Sequence, residues 1–146
     1  WTSITGATAK TYTIPVTYLN YKLRVIVTGV GTTIGYTNLT STSAATAVVQ
    51  GTFTATTPTL TGTGKQGTVM TVTNGIWTPA ATSYTYSWQY STDGGVTWVT
   101  ISGATSTSYT ISAAVVPVGA LLRAGVTGAK TYYVSYTAYS ANVTVS

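Results

Sequence analysis

The chain has 146 residues, of which 44 % are hydrophobic and only 5 % are charged, against about 25 % in ordinary soluble domains. Its six basic residues lie singly along the sequence, so the net charge of +5 does not indicate a nucleic-acid interface. With no cysteine, histidine or glutamate and one aspartate, Asp93, we expect no enzyme, no cofactor and no metal site, because proton relays, paired carboxylates and metal cages all need such groups.

The same composition bears on where the protein acts. No apolar run reaches the ~18 residues that a membrane span requires, and a chain that starts at Trp1 rather than at a methionine suggests a processed or excerpted sequence. A surface so poor in charge repels its own copies weakly. We therefore expect an extracellular, cell-surface or virion-surface location and an assembled state such as a fibre, a layer or a particle coat.

The first residues of the chain recur later in it. Trp1–Ile14 and Trp98–Ile111 share eight of fourteen residues at a spacing of 97 positions. The likeness continues in three further pairs of segments: Leu23-Arg24 with Leu122-Arg123, Val27-Thr28-Gly29 with Val126-Thr127-Gly128, and Ser43-Ala44 with Ser140-Ala141. A high threonine content does not explain why tryptophan, glycine, tyrosine and arginine recur at corresponding positions, so this pattern indicates an internal duplication.

The duplication predicts how the chain is divided. Residues 1–50 correspond to the second half of one unit, residues 51–57 are a threonine-rich linker, and residues 58–146 form one complete unit. We expect the half unit to expose an apolar face, which is normally covered. The cover would come from a neighbouring chain or from an upstream segment. The residues predicted for this interface are Trp1, Tyr12, Leu23, Val25 and Val27.

Strands are predicted throughout residues 58–146. A first short strand near 59–61 and a second at 68–73 are followed by the turn Asn74-Gly75. In the stretch 84–90, aromatic residues alternate with polar ones, as in a strand with one buried face. Asp93-Gly94-Gly95 then provides a tight turn into a return strand at 96–101. Further strands are predicted at 108–111, at 121–127 and at the end of the chain.

These alternations also predict the core. The side chains expected inside are Trp88, Tyr86, Leu122, Val126, Tyr109 and Ile111. Seven short strands separated by turn signals are typical of two packed antiparallel sheets, and β-branched residues exclude helices. The predicted fold class is all-β, a β-sandwich.

Taken together, the segments NGIWTP, SYTYSWQYSTDGGVTWVTISGATSTSYTI and LLRAGVT resemble the immunoglobulin-like tandem repeats of large bacterial surface proteins and of phage structural proteins. The resemblance covers residues 58–146 fully and residues 1–50 as a half unit. It implies an immunoglobulin-like sandwich in which Trp88 is the central tryptophan, here without the cysteine pair of antibody domains. It also implies an extended, non-enzymatic module for adhesion, spacing or assembly.

Three further patterns each have a simple explanation beside a functional one. Gly62–Gly67 matches the dinucleotide motif G-x-G-x-x-G, but a strand rather than a helix follows, so a turn is predicted. The sequons at Asn38 and Asn142 could carry sugars, although a threonine-rich chain produces sequons by chance. Four tyrosines near the end of the chain either pack in the sandwich and on its edge or contact another subunit: Tyr132, Tyr133, Tyr136 and Tyr139.

Three functions fit these patterns. The first is a structural module of a bacterial surface fibre, layer or adhesin that assembles with copies of itself by adding strands to open sheets. The second is a phage decoration or tail-associated protein whose partner is a capsid or tail scaffold. The third is a carbohydrate-binding module that contacts cell-surface glycans with exposed tyrosine and tryptophan.

Overall fold

The computed structural model describes all 146 residues and divides into two units, Trp1–Gly51 and Thr52–Ser146. Every sheet is antiparallel, and the only helical segment is a single 3₁₀ turn at Val16–Tyr18. The predicted all-β class is confirmed. Twelve strands are present: β1 (Ile26–Gly29), β2 (Leu39–Thr42), β3 (Thr54–Ala55), β4 (Leu60–Thr61), β5 (Val69–Val72), β6 (Trp77–Thr78), β7 (Ser83–Ser91), β8 (Val99–Thr100), β9 (Ser108–Thr110), β10 (Leu121–Ala129), β11 (Tyr136–Tyr139) and β12 (Val143–Thr144).

The second unit contains three sheets. The largest has the order β11-β10-β7-β8, and β12 pairs with β10 beside β11. A second sheet has the order β4-β5-β9, and β3 pairs with β6 in a third. Side chains of β5, β7 and β10 enter one common core. This arrangement is consistent with a β-sandwich.

Strands β7 and β10 form the longest ladder, over nine residues each. Trp88 of β7 is fully buried and lies opposite Ala124, and its Nε1 donates a hydrogen bond of 3.0 Å to the Ser106 carbonyl. Leu122, Ala124 and Val126 alternate toward the same core, as their spacing predicts. The other predicted core residues are placed as follows: Ile111 is buried, while Tyr86 and Tyr109 are half-buried and pack against the core.

One end of the second unit is packed by aromatic rings. Trp77 is buried, and its ring centroid lies 5.5 Å from that of Phe53 and 5.7 Å from that of Tyr84. Phe53 is itself buried and lies 5.2 Å from Tyr133. Such edge-on and tilted contacts are the favoured geometry for aromatic pairs.

The linker predicted at 51–57 is corrected by this packing. Strand β3 lies inside that segment and pairs with β6, and Phe53 contributes its ring to the core. The second unit therefore begins at Thr52 rather than at residue 58. The physical reason is that burying one phenyl ring outweighs the local preference of threonine and glycine for a loop.

The return strand predicted at 96–101 is shorter than expected, because the preceding turn is held by side chains. The Asp93 carboxylate accepts hydrogen bonds from the Ser91 hydroxyl at 2.7 Å and from the Thr97 amide at 2.9 Å. Ser91 is buried, and its oxygen also accepts the Gly95 amide at 2.8 Å. Pairing with β7 consequently starts only at Val99.

These hydrogen bonds make acid stability depend on one side chain. The bonds from Ser91, and then those from Thr97, hold the pKa of Asp93 well below its ordinary value. The unfolded chain therefore takes up a proton near pH 4 that the folded chain does not, so stability is complete above that pH and falls as the pH decreases below it. Thermal melts between pH 2 and pH 7 should show this loss. Asp93→Asn should flatten the curve, and an unchanged slope in that variant would contradict the assignment.

The first unit has far less structure than the second. Strands β1 and β2 form an isolated two-stranded sheet, and none of its residues reaches full burial. Only a few side chains are even half-buried, among them Leu23 and Val49. A single two-stranded hairpin is marginally stable in water. The first unit therefore needs further contacts to form a closed body.

Candidate assembly interface

Strand β1 has one free edge. Val25 and Ser43 face each other, since the Ser43 amide donates to the Val25 carbonyl at 2.9 Å, and Val27 lies opposite Ser41 in the same register. Backbone groups alternate along a strand, so the amides and carbonyls of Ile26 and Thr28 point away from β2. No other strand pairs with β1. This unpaired row is the kind of edge to which another strand can be added.

The β1–β2 pairing has the same register as the β10–β11 pairing of the second unit. Val27 faces Ser41, and the corresponding Val126 faces Ala138. The contacts that end the pairing also correspond: the Val25 amide donates to Ser43 Oγ at 3.0 Å, and the Ala124 amide donates to Ser140 Oγ at 3.0 Å. The first unit thus has the geometry of one side of the largest sheet in the second unit.

The two units differ in what lies on the other edge of the corresponding strand. In the second unit, β7 pairs with β10 along its whole length, and Trp88 covers the position opposite Ala124. In the first unit, no strand takes the place of β7. The free edge of β1 therefore corresponds to the edge of β10 that pairs with β7.

The side chains beside this edge are exposed and apolar. Val25 and Val27 are 62 % and 63 % exposed, whereas the corresponding Ala124 and Val126 are fully buried. Of the other residues predicted for this interface, Trp1 is 70 % exposed, Tyr12 is exposed and Leu23 is half-buried. We define the open edge surface by Val25, Ile26, Val27 and Thr28. Ile26 and Thr28 are not among the residues predicted from the sequence, although strand alternation around the two valines places their backbone groups on the opposite edge from those of Val25 and Val27.

Stacking between arginine and tryptophan occurs in both units. The guanidinium carbon of Arg123 lies 3.8 Å from the Trp98 ring centroid and 4.0 Å from that of Tyr139. Arg24 lies 4.3 Å from the ring of Trp1 in the same way, without a second ring. The contact holds Trp1 near the start of the strand that carries the open edge surface.

The four tyrosines near the chain end do not form one surface. Tyr133 packs against Phe53 and is half-buried, so it contributes to the packing of the unit, as one of the two alternatives for these tyrosines predicts. Tyr136 contacts Trp77 with a centroid distance of 6.0 Å, while Tyr139 stacks on Arg123. Tyr132 has a positive φ of 67° in a turn and is half exposed. Alternation places Tyr136 and Tyr139 on opposite faces of β11.

The remaining predicted sites are not part of the open edge surface. Asn38 is exposed, and its Oδ1 accepts the Gly31 amide at 3.2 Å. Asn142 is exposed and directly precedes β12. Gly62–Gly67 lies in the turn between β4 and β5, as predicted, so no helix follows this glycine-rich segment.

Neither unit contains a helix with the length and hydropathy that a membrane crossing requires. Comparison of the chain with protein-family models, with curated proteins and with solved structures found no match. The geometry of the open edge surface and the internal likeness of the two units are therefore the observations on which a function can be argued.

Proposed function

We propose that the protein is a non-catalytic, immunoglobulin-like structural module of an extracellular bacterial surface fibre, layer or adhesin. The first unit joins the module to its neighbour by strand addition at the open edge surface. The second unit is the closed sandwich that sets the spacing between such joints. The observation that carries this proposal is the free edge of β1, with Val25 and Val27 exposed beside it.

Several properties of the chain support a structural rather than a chemical role. The sequence holds one acidic side chain, and that carboxylate is engaged in a turn by Ser91 and Thr97. A low density of charge favours close association of copies, since like charges repel them only weakly. Exposed apolar side chains beside the unpaired edge of a strand add a hydrophobic contribution to the backbone hydrogen bonds of an added strand.

Val25→Asp is expected to weaken self-association of the purified chain about tenfold or more, because a carboxylate would have to lose its hydration at the contact. Sedimentation velocity over a range of concentrations measures the effect. Val118→Asp is a matched control, since Val118 is 65 % exposed and lies in a loop of the second unit. A chain that stays monomeric, or an equal effect of the two substitutions, would contradict the proposed joint.

Electron microscopy of the purified chain distinguishes the proposed setting from the alternatives. Long regular filaments or ordered layers are expected for a surface fibre or layer. Copies attached to capsid or tail particles would instead favour the phage structural protein. Binding to an array of cell-surface glycans, without filaments, would favour the carbohydrate-binding module.

A further inference from the structure

We propose that the strand which fills the open edge surface has the sequence type of Ser83–Ser91 and pairs antiparallel with β1 so that its tryptophan lies opposite Val25. This inference rests on the proposed function, which requires a joint at β1 but does not name the strand. The partner is therefore a segment like residues 52–97, outside residues 1–51.

The register follows from the second unit. There, Trp88 lies opposite Ala124 and Tyr86 lies opposite Val126. Since Leu23-Arg24 corresponds to Leu122-Arg123 and Val27 to Val126, the same pairing places tryptophan opposite Val25 and tyrosine opposite Val27. The aromatic side of the added strand would then cover the two valines that are now exposed.

The backbone groups of the two strands are complementary in this register. The Ile101 amide donates to the Trp88 carbonyl, so Trp88 directs its backbone toward β8 and Ser87 directs its backbone toward β10. In a strand of the same type, the backbone amide and carbonyl of the residue that corresponds to Ser87 would pair with those of Ile26. The backbone amide and carbonyl of the residue that corresponds to Thr85 would pair with those of Thr28. Those are the two residues of β1 whose backbone groups are unpaired.

Gly29 provides a second, independent observation. The corresponding Gly128 is covered by the Trp77 indole, and a Cβ there would lie 2.6 Å from its ring. At Gly29 the nearest atom to such a Cβ is the Leu39 carbonyl oxygen at 3.8 Å, so nothing in the first unit requires a glycine. A glycine at this position leaves space for an indole that comes with the added segment.

A second copy of this chain is a poor donor. Each chain holds one segment with the pattern of residues 52–97, and its own residues 98–146 already pair with that segment through β7 and β10. If one copy gave this segment to another, the first unit of the receiving copy would be closed. The second unit of the donating copy would lose its own segment and would be open. The number of closed units would not rise, so copies of the chain would associate only weakly by such an exchange, and an additional segment of the same type is the better donor.

The test adds the segment to the full chain. In the extended chain, residues 52–97 are repeated directly before Trp1, so the junction copies the bond between Thr97 and Trp98. Amide hydrogen exchange of Ile26 and Thr28 should slow about a hundredfold, as for amides in a stable sheet. Self-association of the extended chain should fall at the same time, because its edge is filled.

Two controls make this outcome specific. The first replaces the Thr85 and Ser87 equivalents of the added segment by proline, which removes the amides that face β1 and should abolish the protection. The second is Gly29→Ala, which should be silent in the unextended chain and should destabilise the extended one. Equal exchange with and without the segment, protection by the proline version, or a silent Gly29→Ala in the extended chain would each overturn the inference.

The outcomes also separate this inference from the proposed function. If the unextended chain self-associates through Val25 but the added segment gives no protection, the joint stands and the identity of its strand is wrong. If the segment protects Ile26 and Thr28 but the unextended chain never associates, the identity of the strand stands and the proposed function is wrong.

Discussion

Replacing Trp88 by alanine is expected to lower the free energy of unfolding by ~3–5 kcal/mol, the range for removing a buried aromatic side chain. Trp88 is fully buried, and its ring lies 5.7 Å from that of Tyr109. The substitution would leave a large cavity at the centre of the sheet that β7 and β10 form. It would also remove the hydrogen bond that the indole donates to the Ser106 carbonyl, a smaller loss because Ser106 is exposed. Denaturant unfolding of the full chain, followed by fluorescence, measures the loss.

Two further variants test whether Trp88 lies at the centre of the core. Trp88→Phe keeps much of the packing and should cost clearly less than Trp88→Ala. Trp98→Ala removes the same kind of ring from a half-buried position beside Arg123 and should also cost less. If Trp88→Ala left the unfolding midpoint unchanged, or if Trp98→Ala were equally damaging, the centre of the core would lie elsewhere.

The long strands were predictable from the sequence because their pattern is strong. In β7 four aromatic residues alternate with polar ones over nine residues, and only a strand with one buried face satisfies that pattern. In β10 the alternation of Leu122, Ala124 and Val126 carries the same information. Both strands are present where the alternation indicates, and they pair with each other. The turn after β7 lies where Asp93 and its glycines predict it.

The short strands were not predictable in the same way. Strands β3 and β6 have two residues each, and two residues carry no period. Their position is decided by Phe53 and Trp77, which meet from opposite ends of a segment of more than twenty residues. Composition around Phe53 favours a loop, and the contact that overrides it is visible only in three dimensions.

For the candidate interface, the sequence contained more than periodicity. The internal duplication predicted which half of a unit residues 1–50 resemble, and the matched hydrogen bonds of Ser43 and Ser140 agree with that alignment. The duplication did not reveal that Tyr133 packs inward, since both copies carry a tyrosine at this position. In the structure the corresponding Tyr36 is 74 % exposed, whereas Tyr133 contacts Phe53. The difference arises because Phe53 covers only Tyr133.

Substituting Gly128 by alanine is expected to destabilise the second unit by roughly 1–3 kcal/mol, the usual cost of overpacking a well-filled site. The added Cβ would lie 2.6 Å from one atom of the Trp77 indole and 2.7 Å from the next. Trp77 is buried between Phe53 and Tyr84, so the indole has little freedom to move away. Denaturant unfolding of the second unit within the full chain measures the effect.

Gly29→Ala is the matched control, since Gly29 holds the corresponding position in β1 and has open space where Gly128 has the indole. In the chain of 146 residues it should change stability by no more than a few tenths of a kcal/mol, as for a substitution on an open surface. The pair thus isolates steric contact with Trp77 from the general preference of strands against glycine. If both substitutions were harmless, the Trp77 ring would not lie on β10. If both were equally damaging, an indole or its equivalent would already cover β1, and the open edge surface on which the proposed joint depends would not exist.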